Sequence, residues 1–253
     1  MLLEVKDLNI SLTSEKSVAE HISFRLGQGE MLSIVGSSGA GKTTICKAIM
    51  GLLGNTYRAD GEILFQGEDL LDLPERKRQT IYGKEICLIM QNPMTAFNPS
   101  IRVGRQMEKT YLLHHGKTPR QEMQRLFAAI LQKLGLEDTQ RILNSYPFTL
   151  SGGMLQRLMI AAALMCQPAL LVADEATTAI DACNRIGLMR ELKSFCKDGM
   201  SVLFVTHDLR SASVSDRILV MDRGQIVEQG KTEQILNTPK EDYTKYLLNV
   251  CRL

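Results

Sequence analysis

The stretch Gly36-Ser37-Ser38-Gly39-Ala40-Gly41-Lys42-Thr43-Thr44 fits the pattern G-x-x-x-x-G-K-[ST] and limits the fold more than any other part of the chain. The apolar run at 31–35 predicts a buried strand before it, and residues 45–50 predict a helix stopping at Gly51. A strand, a glycine-rich loop and a helix in that order make a phosphate-binding unit. Glycine lets the backbone approach an anion closely. Successive N–H groups converge as an anion nest, and the helix N-terminus adds its dipole. Lys42 then brings positive charge to the outer phosphates and Thr43 a hydroxyl for magnesium. A glycine- and serine-rich turn with a chance lysine could match the pattern, but not this strand–loop–helix frame.

Composition narrows the class further. A chain of 253 residues holds one large domain or two small ones, and a hydrophobic fraction of 44% suits a globular protein with a sizeable core. Lys+Arg 30 against Asp+Glu 28 leaves +2, so charge makes no case for nucleic acid. The six cysteines, Cys46, Cys87, Cys166, Cys183, Cys196 and Cys251, form no C-x-x-C pair. That argues against a zinc or iron–sulfur centre and for reduced cytosolic thiols. Glu4, Lys6 and Asp7 fall where a signal peptide needs an apolar core. No run reaches the ~18 apolar residues of a membrane span; if the protein works at a membrane, other chains must do the crossing.

Along the chain, residues 3–8, 22–26 and 61–66 alternate in polarity and predict half-exposed strands of an antiparallel portion. The charged segment 74–84 reads as a solvated helix or loop, since no aromatic residues interleave to stack bases. A short strand at 86–90 runs into Gln91, followed by the turn-rich Asn92-Pro93-Met94-Thr95-Ala96-Phe97-Asn98-Pro99. Met123, Leu126, Phe127, Ile130, Leu131 and Leu134 then form one stripe of an amphipathic helix between Pro119 and Gly135. Residues 92–165 are expected to be an inserted helical block. His114 and His115 read as a surface loop pair, with no other metal-ligand type nearby in sequence. Ser151-Gly152-Gly153 precedes an apolar helix at 154–165 whose methionines fill packing gaps. Continuous apolar runs at 169–173 and 201–206 predict buried parallel strands, ending in Asp174-Glu175 and in His207-Asp208. A hairpin turning at 222–224 and a helical tail broken near Pro239 complete the chain.

The phosphate loop, Gln91 after a strand, Ser151-Gly152-Gly153, Asp174-Glu175, Asp181 and His207 stand in an order that resembles the ATP-binding subunits of ABC transporters. The resemblance spans essentially the whole chain. It implies an α/β fold: a single phosphate-loop nucleotide-binding domain over residues 1–253, with a mostly parallel core sheet, an antiparallel β subdomain and an inserted helical subdomain at 92–165. It implies ATP and Mg2+, with Thr43, Asp174 and Gln91 at the metal and Glu175 as the base that orients or deprotonates water. His207 contacts the γ-phosphate in such proteins, and Gln91 senses it from the hinge to the helical subdomain. Ser151, Gly152 and Gly153 close on ATP held by a facing subunit, and Asp181 lies in the dimer-contacting loop. Implied partners are two transmembrane permeases, a second and different ATP-binding subunit, and an extracytoplasmic solute-binding protein, with this chain peripheral on the cytoplasmic face of the membrane.

Residues 90–99 and Tyr146-Pro147-Phe148-Thr149-Leu150 narrow the resemblance to the peptide and nickel importers. Met154 after the two glycines, and a chain that stops at Leu253, resemble the short nickel-importer subunit, so nickel or a metal chelate is the expected cargo, with oligopeptide or dipeptide as the alternative. Three residues depart from the family pattern. Met154 replaces glutamine and cannot donate a hydrogen bond, Ala176 replaces proline, and Leu12 replaces an adenine-stacking aromatic and offers no π face. A soluble chromosome- or ribosome-associated ATPase would share the nucleotide fold, but no sustained heptads and no second phosphate loop occur. A module that binds ATP without cleaving it would have little use for Glu175 and His207.

Overall fold

The computed structural model describes residues 1–90, 92–175 and 182–251. Strands β1 (Leu3–Leu12) and β2 (Ser17–Leu26) open the chain as an antiparallel hairpin. Next come β3 (Met31–Gly36), the phosphate-binding loop, α1 (Lys42–Ile49), β4 (Tyr57–Phe65), β5 (Glu68–Asp69), α2 (Glu75–Ile81) and β6 (Ile86–Ile89). From there to β7 (Leu170–Asp174) the described chain contains only helices: α3 (Val103–His115), α4 (Arg120–Lys133), α5 (Thr139–Asn144), α6 (Gly152–Met165) and two single 3-10 turns. The remainder is α7 (Ala182–Cys196), β8 (Ser201–Thr206), α8 (Leu209–Ala212), β9 (Arg217–Asp222), β10 (Gln225–Lys231), α9 (Thr232–Asn237) and α10 (Asp242–Cys251).

The strands form two sheets. One is antiparallel, in the order β2-β1-β4-β5, and the other runs β10-β9-β3-β8-β7-β6 with only the β9–β10 pair antiparallel. The expected α/β class, mostly parallel core and antiparallel β portion are therefore the observed architecture. The central strands are apolar on both faces because both faces are covered. Leu171 and Ala173 of β7, with Val202 and Phe204 of β8, face a core shared with α3, α4, α6 and α7. Their neighbours Leu170, Val172, Leu203 and Val205 face the opposite way, onto α1 and the inner face of the antiparallel sheet. Burying each of the Leu, Val and Phe side chains among these stabilises the fold by about 1.5–3 kcal/mol. A third, smaller core packs α8, α9 and α10 on Val35, Ile218 and Val220.

Local chemistry sets the element ends. Asp138, Ser151 and Asp208 each accept a backbone N–H in the first turn of the helix that follows, satisfying donors that the helix cannot. In α4 the predicted stripe is the buried face: Met123, Phe127, Ile130 and Leu131 are all buried. Segment 74–84 contains the exposed helix α2, with no buried residue. His114 and His115, in contrast, belong to the last turn of α3 rather than to a loop. His115 stacks on Tyr111 at 4.3 Å between ring centroids, and its Nε2 lies 3.1 Å from the Met165 carbonyl. His115 thus ties α3 to the end of α6.

Candidate nucleotide site

Parallel pairing brings the carboxyl ends of β3, β8 and β7 side by side, and ligands in open α/β sheets bind at that edge. The loop leaving β3 presses on neighbouring backbone. A Cβ at Gly36 would stand 2.2 Å from the Met221 carbonyl oxygen of β9, so only glycine fits. Gly41, the residue before α1, has φ of 94°, and a Cβ there would meet the Val18 carbonyl oxygen at 2.8 Å. Helix α1 begins at Lys42, earlier than the apolar pattern suggested, so the loop's last residues are themselves its first turn. Gly39 and Ala40 lie in the turn between strand and helix, Thr44 lies in the first turn of α1, and Ser37, Ser38 and Gly39 are exposed.

Lys42 is buried, and its Nζ donates to the carbonyl oxygens of Gly36 at 2.9 Å and Ser37 at 2.8 Å. Burial pushes its pKa down, while the carboxylates of Glu175 and Asp174 oppose that shift. Thr43 Oγ1 donates to Asp174 Oδ1 at 3.1 Å. Burial raises the pKa of Asp174, and nearby Glu175 adds to the rise against the Thr43 hydrogen bond. Glu175 has a left-handed backbone, φ 48°, a conformation that costs energy for a non-glycine residue and clusters at functional sites. Its N–H donates to the Val205 carbonyl, and its Oε1 lies 3.3 Å from His207 Nδ1. The fold thus gathers the phosphate loop, Lys42, Thr43, Asp174, Glu175 and His207 from three adjacent strands.

Ser151, Gly152 and Gly153 sit elsewhere, at the N-terminus of α6, where Ser151 Oγ accepts the Met154 N–H at 3.3 Å. Helix α6 packs on α3, α4 and β6, whereas α1 packs on β2, β3 and β7. Ser151 and Gly152 are exposed, and Met154 turns inward against the helical core. Leu12 ends β1 half-buried, directly opposite Tyr57 of β4. Gln91, Ala176 and Asp181 lie outside the described residues.

Two features of the site escaped the sequence reading. The Ser37 N–H donates to the hydroxyl of Tyr243 at 3.1 Å, so the C-terminal helix α10 touches the phosphate loop. Nothing in the local pattern around Tyr243 signals this. Asp208, next to His207, accepts from Arg185 Nη1 at 3.2 Å and from Ser211 Oγ at 2.7 Å. Burial alone would raise its pKa, but these bonds and the Arg210 N–H hold it below the ordinary value. The capping pattern Asp208-Leu209-Arg210-Ser211 was a usable signal for the second feature.

The oxygens of Thr43 and Asp174 are a hard donor pair of the kind magnesium takes beside a bound triphosphate. Among the described residues no group of three or more His, Cys, Asp or Glu side chains is arranged to hold a metal. The ABC transporter family profile matches residues 19–178. The metal-staphylopine import system ATP-binding protein CntD of Staphylococcus aureus is 41% identical over 98% of this chain and 92% of its own length. The oligopeptide transport ATP-binding protein OppD of Bacillus subtilis is 41% identical over 98% of this chain and 71% of its own. Among solved structures, the dimeric ATP-binding cassette MJ0796 in a post-hydrolysis state, bound to ADP and Pi, superposes with a TM-score of 0.80 at 27% identity, over 91% of this chain and 99% of that one. With its phosphate loop, strand-end carboxylates and histidine on that fold, the chain belongs to the ABC transporter family as an ATP-binding, ATP-hydrolysing subunit.

Proposed function

We propose that this subunit drives import of nickel or a metal chelate by hydrolysing ATP at a site shared with a facing ATP-binding subunit. The observation that carries the hydrolytic part is the pairing of Thr43 with Asp174 and of Glu175 with His207 at one sheet edge. In this reading the loop residues 36–44 hold the phosphates, and Lys42 shifts from the loop carbonyls to the outer phosphates. Thr43, Asp174 and Gln91 would hold magnesium, which would supply positive charge to offset that on the transferring group. Glu175 takes the proton of the attacking water, and His207 orients that carboxylate and reaches the γ-phosphate.

Ser151, Gly152 and Gly153 serve the facing subunit's nucleotide, and Asp181 contacts that subunit. Support for the first role comes from the exposure of Ser151 and Gly152 at a helix N-terminus, which favours anions, and from the separate packing of α6 and α1. ATP favours the closed pair and its hydrolysis the open one, a ligand-driven shift between states. Met154 weakens one of the two sites, because its side chain supports the helical core instead of donating a hydrogen bond.

The chain works with transmembrane permeases on the cytoplasmic face of the membrane and receives cargo through a solute-binding protein. Among the described residues no helix is long and apolar enough to cross a membrane. A groove of about 650 Å³ lined by Arg102, Arg105, Glu108 and Arg120 beside Ile101 and Tyr146, together with exposed Met94 and Phe148, gives the permeases a mixed charged and apolar surface to hold. Similarity to the metal-staphylopine import protein supports the metal cargo. Equal identity to the oligopeptide protein favours peptides as the second reading. Deleting the subunit and measuring nickel and dipeptide uptake side by side separates them. Lost metal uptake supports the first reading; unchanged metal uptake with lost dipeptide uptake supports the second.

A further inference from the structure

We propose that Cys87 and Cys166 form a modification site, a thiol pair that small disulfides oxidise to an intramolecular cystine bridging the core sheet and the helical block. Cys87 belongs to β6, and Cys166 is the residue that ends α6. Both are buried, both are thiols, and both line one cavity of about 270 Å³ between the sheet and the helices. Half-buried Gln106, Thr110 and His114 line the same cavity and give a reagent a route from the surface.

The two sulfurs differ chemically. The two side chains hydrogen-bond to each other, a contact that favours ionisation of Cys166 against its burial and, with burial, disfavours that of Cys87; when protonated, Cys166 Sγ donates to the Ala162 carbonyl at 3.7 Å. One attacking sulfur beside one resolving sulfur is the arrangement that thiol–disulfide exchange needs. The Cys166 thiolate attacks one sulfur of a low-molecular-weight disulfide, that S–S bond breaks, and one small thiolate leaves. Cys87 then gives up its proton and attacks Cys166 Sγ, the mixed disulfide breaks, and a second small thiolate leaves. Both protein cysteines are oxidised, the reagent is reduced to two thiols, and the two cysteine protons end on those thiols.

The bridge would act on the proposed hinge. Cys87 lies just upstream of Gln91, and α6 carries Cys166 at one end and the exposed Ser151 and Gly152 at the other. A covalent tie between β6 and α6 fixes the helical block against the sheet that holds the nucleotide. In a compartment that keeps thiols reduced, such a bridge forms only when oxidant accumulates, as expected of a redox-sensing pair.

The test treats the purified full chain, and separately the assembled transporter, with oxidised glutathione and maps the peptides by mass spectrometry. A Cys87–Cys166 linked peptide that disappears with dithiothreitol is expected in the wild type. Cys87→Ala should instead retain a glutathione adduct on Cys166. In the assembled complex, ATP turnover should fall about tenfold on oxidation and recover on reduction, while Cys87→Ala/Cys166→Ala keeps its turnover; the serine pair replaces it if the alanine pair does not fold. The turnover effect rests on the ATPase reading, but the linked peptide does not. Absence of the linked peptide in oxidised wild type overturns the site, and equal loss of turnover in the double variant overturns its coupling to hydrolysis. Absence of turnover before oxidation would instead count against the ATPase reading.

Discussion

His207 Nδ1 lies 3.3 Å from Glu175 Oε1, joining the ends of two adjacent parallel strands, β8 and β7. Glu175 is mostly buried, its backbone is left-handed, and its N–H is tied to Val205. The carboxylate is therefore aimed by the fold before any substrate arrives. His207→Ala removes one side of that aim. A hydrogen bond to a charged group contributes about 1.5–3 kcal/mol, so turnover should drop about ten- to a hundredfold. ATP affinity should change much less, and equilibrium nucleotide binding measured beside steady-state turnover separates the two.

Tyr243 offers a second, milder prediction. Its hydroxyl accepts the Ser37 N–H, while the Ser37 carbonyl accepts from Lys42, so one loop residue is held from both sides. Tyr243→Phe keeps the ring and deletes only the acceptor. The KM for ATP should rise about two- to tenfold, the equivalent of one hydrogen bond, with kcat little changed. An unchanged KM would show that the contact plays no part in nucleotide binding.

These two relationships differ in how far the sequence revealed them. The continuous apolar runs of β7 and β8 and the residues following them predicted both strand ends, so Glu175 and His207 were visible. Tyr243 meets Ser37 only because α10 folds back over β3, a long-range packing event with no local pattern. Strand β1 runs on to Leu12, beyond the expected stop near Leu8, through a stretch where Asp7 adopts φ 45° and the ladder to β2 is irregular from Val5 to Ser11. Those irregularities break the two-residue alternation that a reader of sequence relies on. The start of α1 was hidden for a different reason: its first turn is built from polar loop residues rather than from an apolar stripe. The histidine pair closes a helix rather than lying in a loop, and the two look alike in sequence where Gly116 follows.

Stability should respond to pH with opposite signs at two aspartates. Asp208 has a folded-state pKa below its ordinary 3.8. Its contribution is therefore fully present above that ordinary value and is lost as pH falls through the lower folded value. Asp208→Asn should destabilise the protein at neutral pH, and the gap to wild type should close in strong acid. Asp174 has a folded-state pKa above 3.8, so its ionised form costs stability at neutral pH, and that cost fades as pH falls through the raised value. Asp174→Asn should raise the melting temperature at neutral pH while abolishing turnover. Thermal unfolding of both variants across pH checks the signs, and a common sign would contradict the assignment.

Ser151→Ala tests the shared site. Loss of the cap should cost about 1 kcal/mol of stability. In a pair where only one subunit carries the change, hydrolysis should fall at the facing subunit's nucleotide and persist at its own. Equal loss at both would argue against a site completed from across the interface.

The central claim concerns Glu175 as the group that takes the proton of the attacking water. Glu175→Gln in the assembled transporter, with magnesium and saturating ATP, tests it most directly through steady-state turnover. A loss of about 10²-fold or more with ATP still bound is the predicted result. Turnover near the wild-type rate would remove Glu175 from the chemistry and contradict the account.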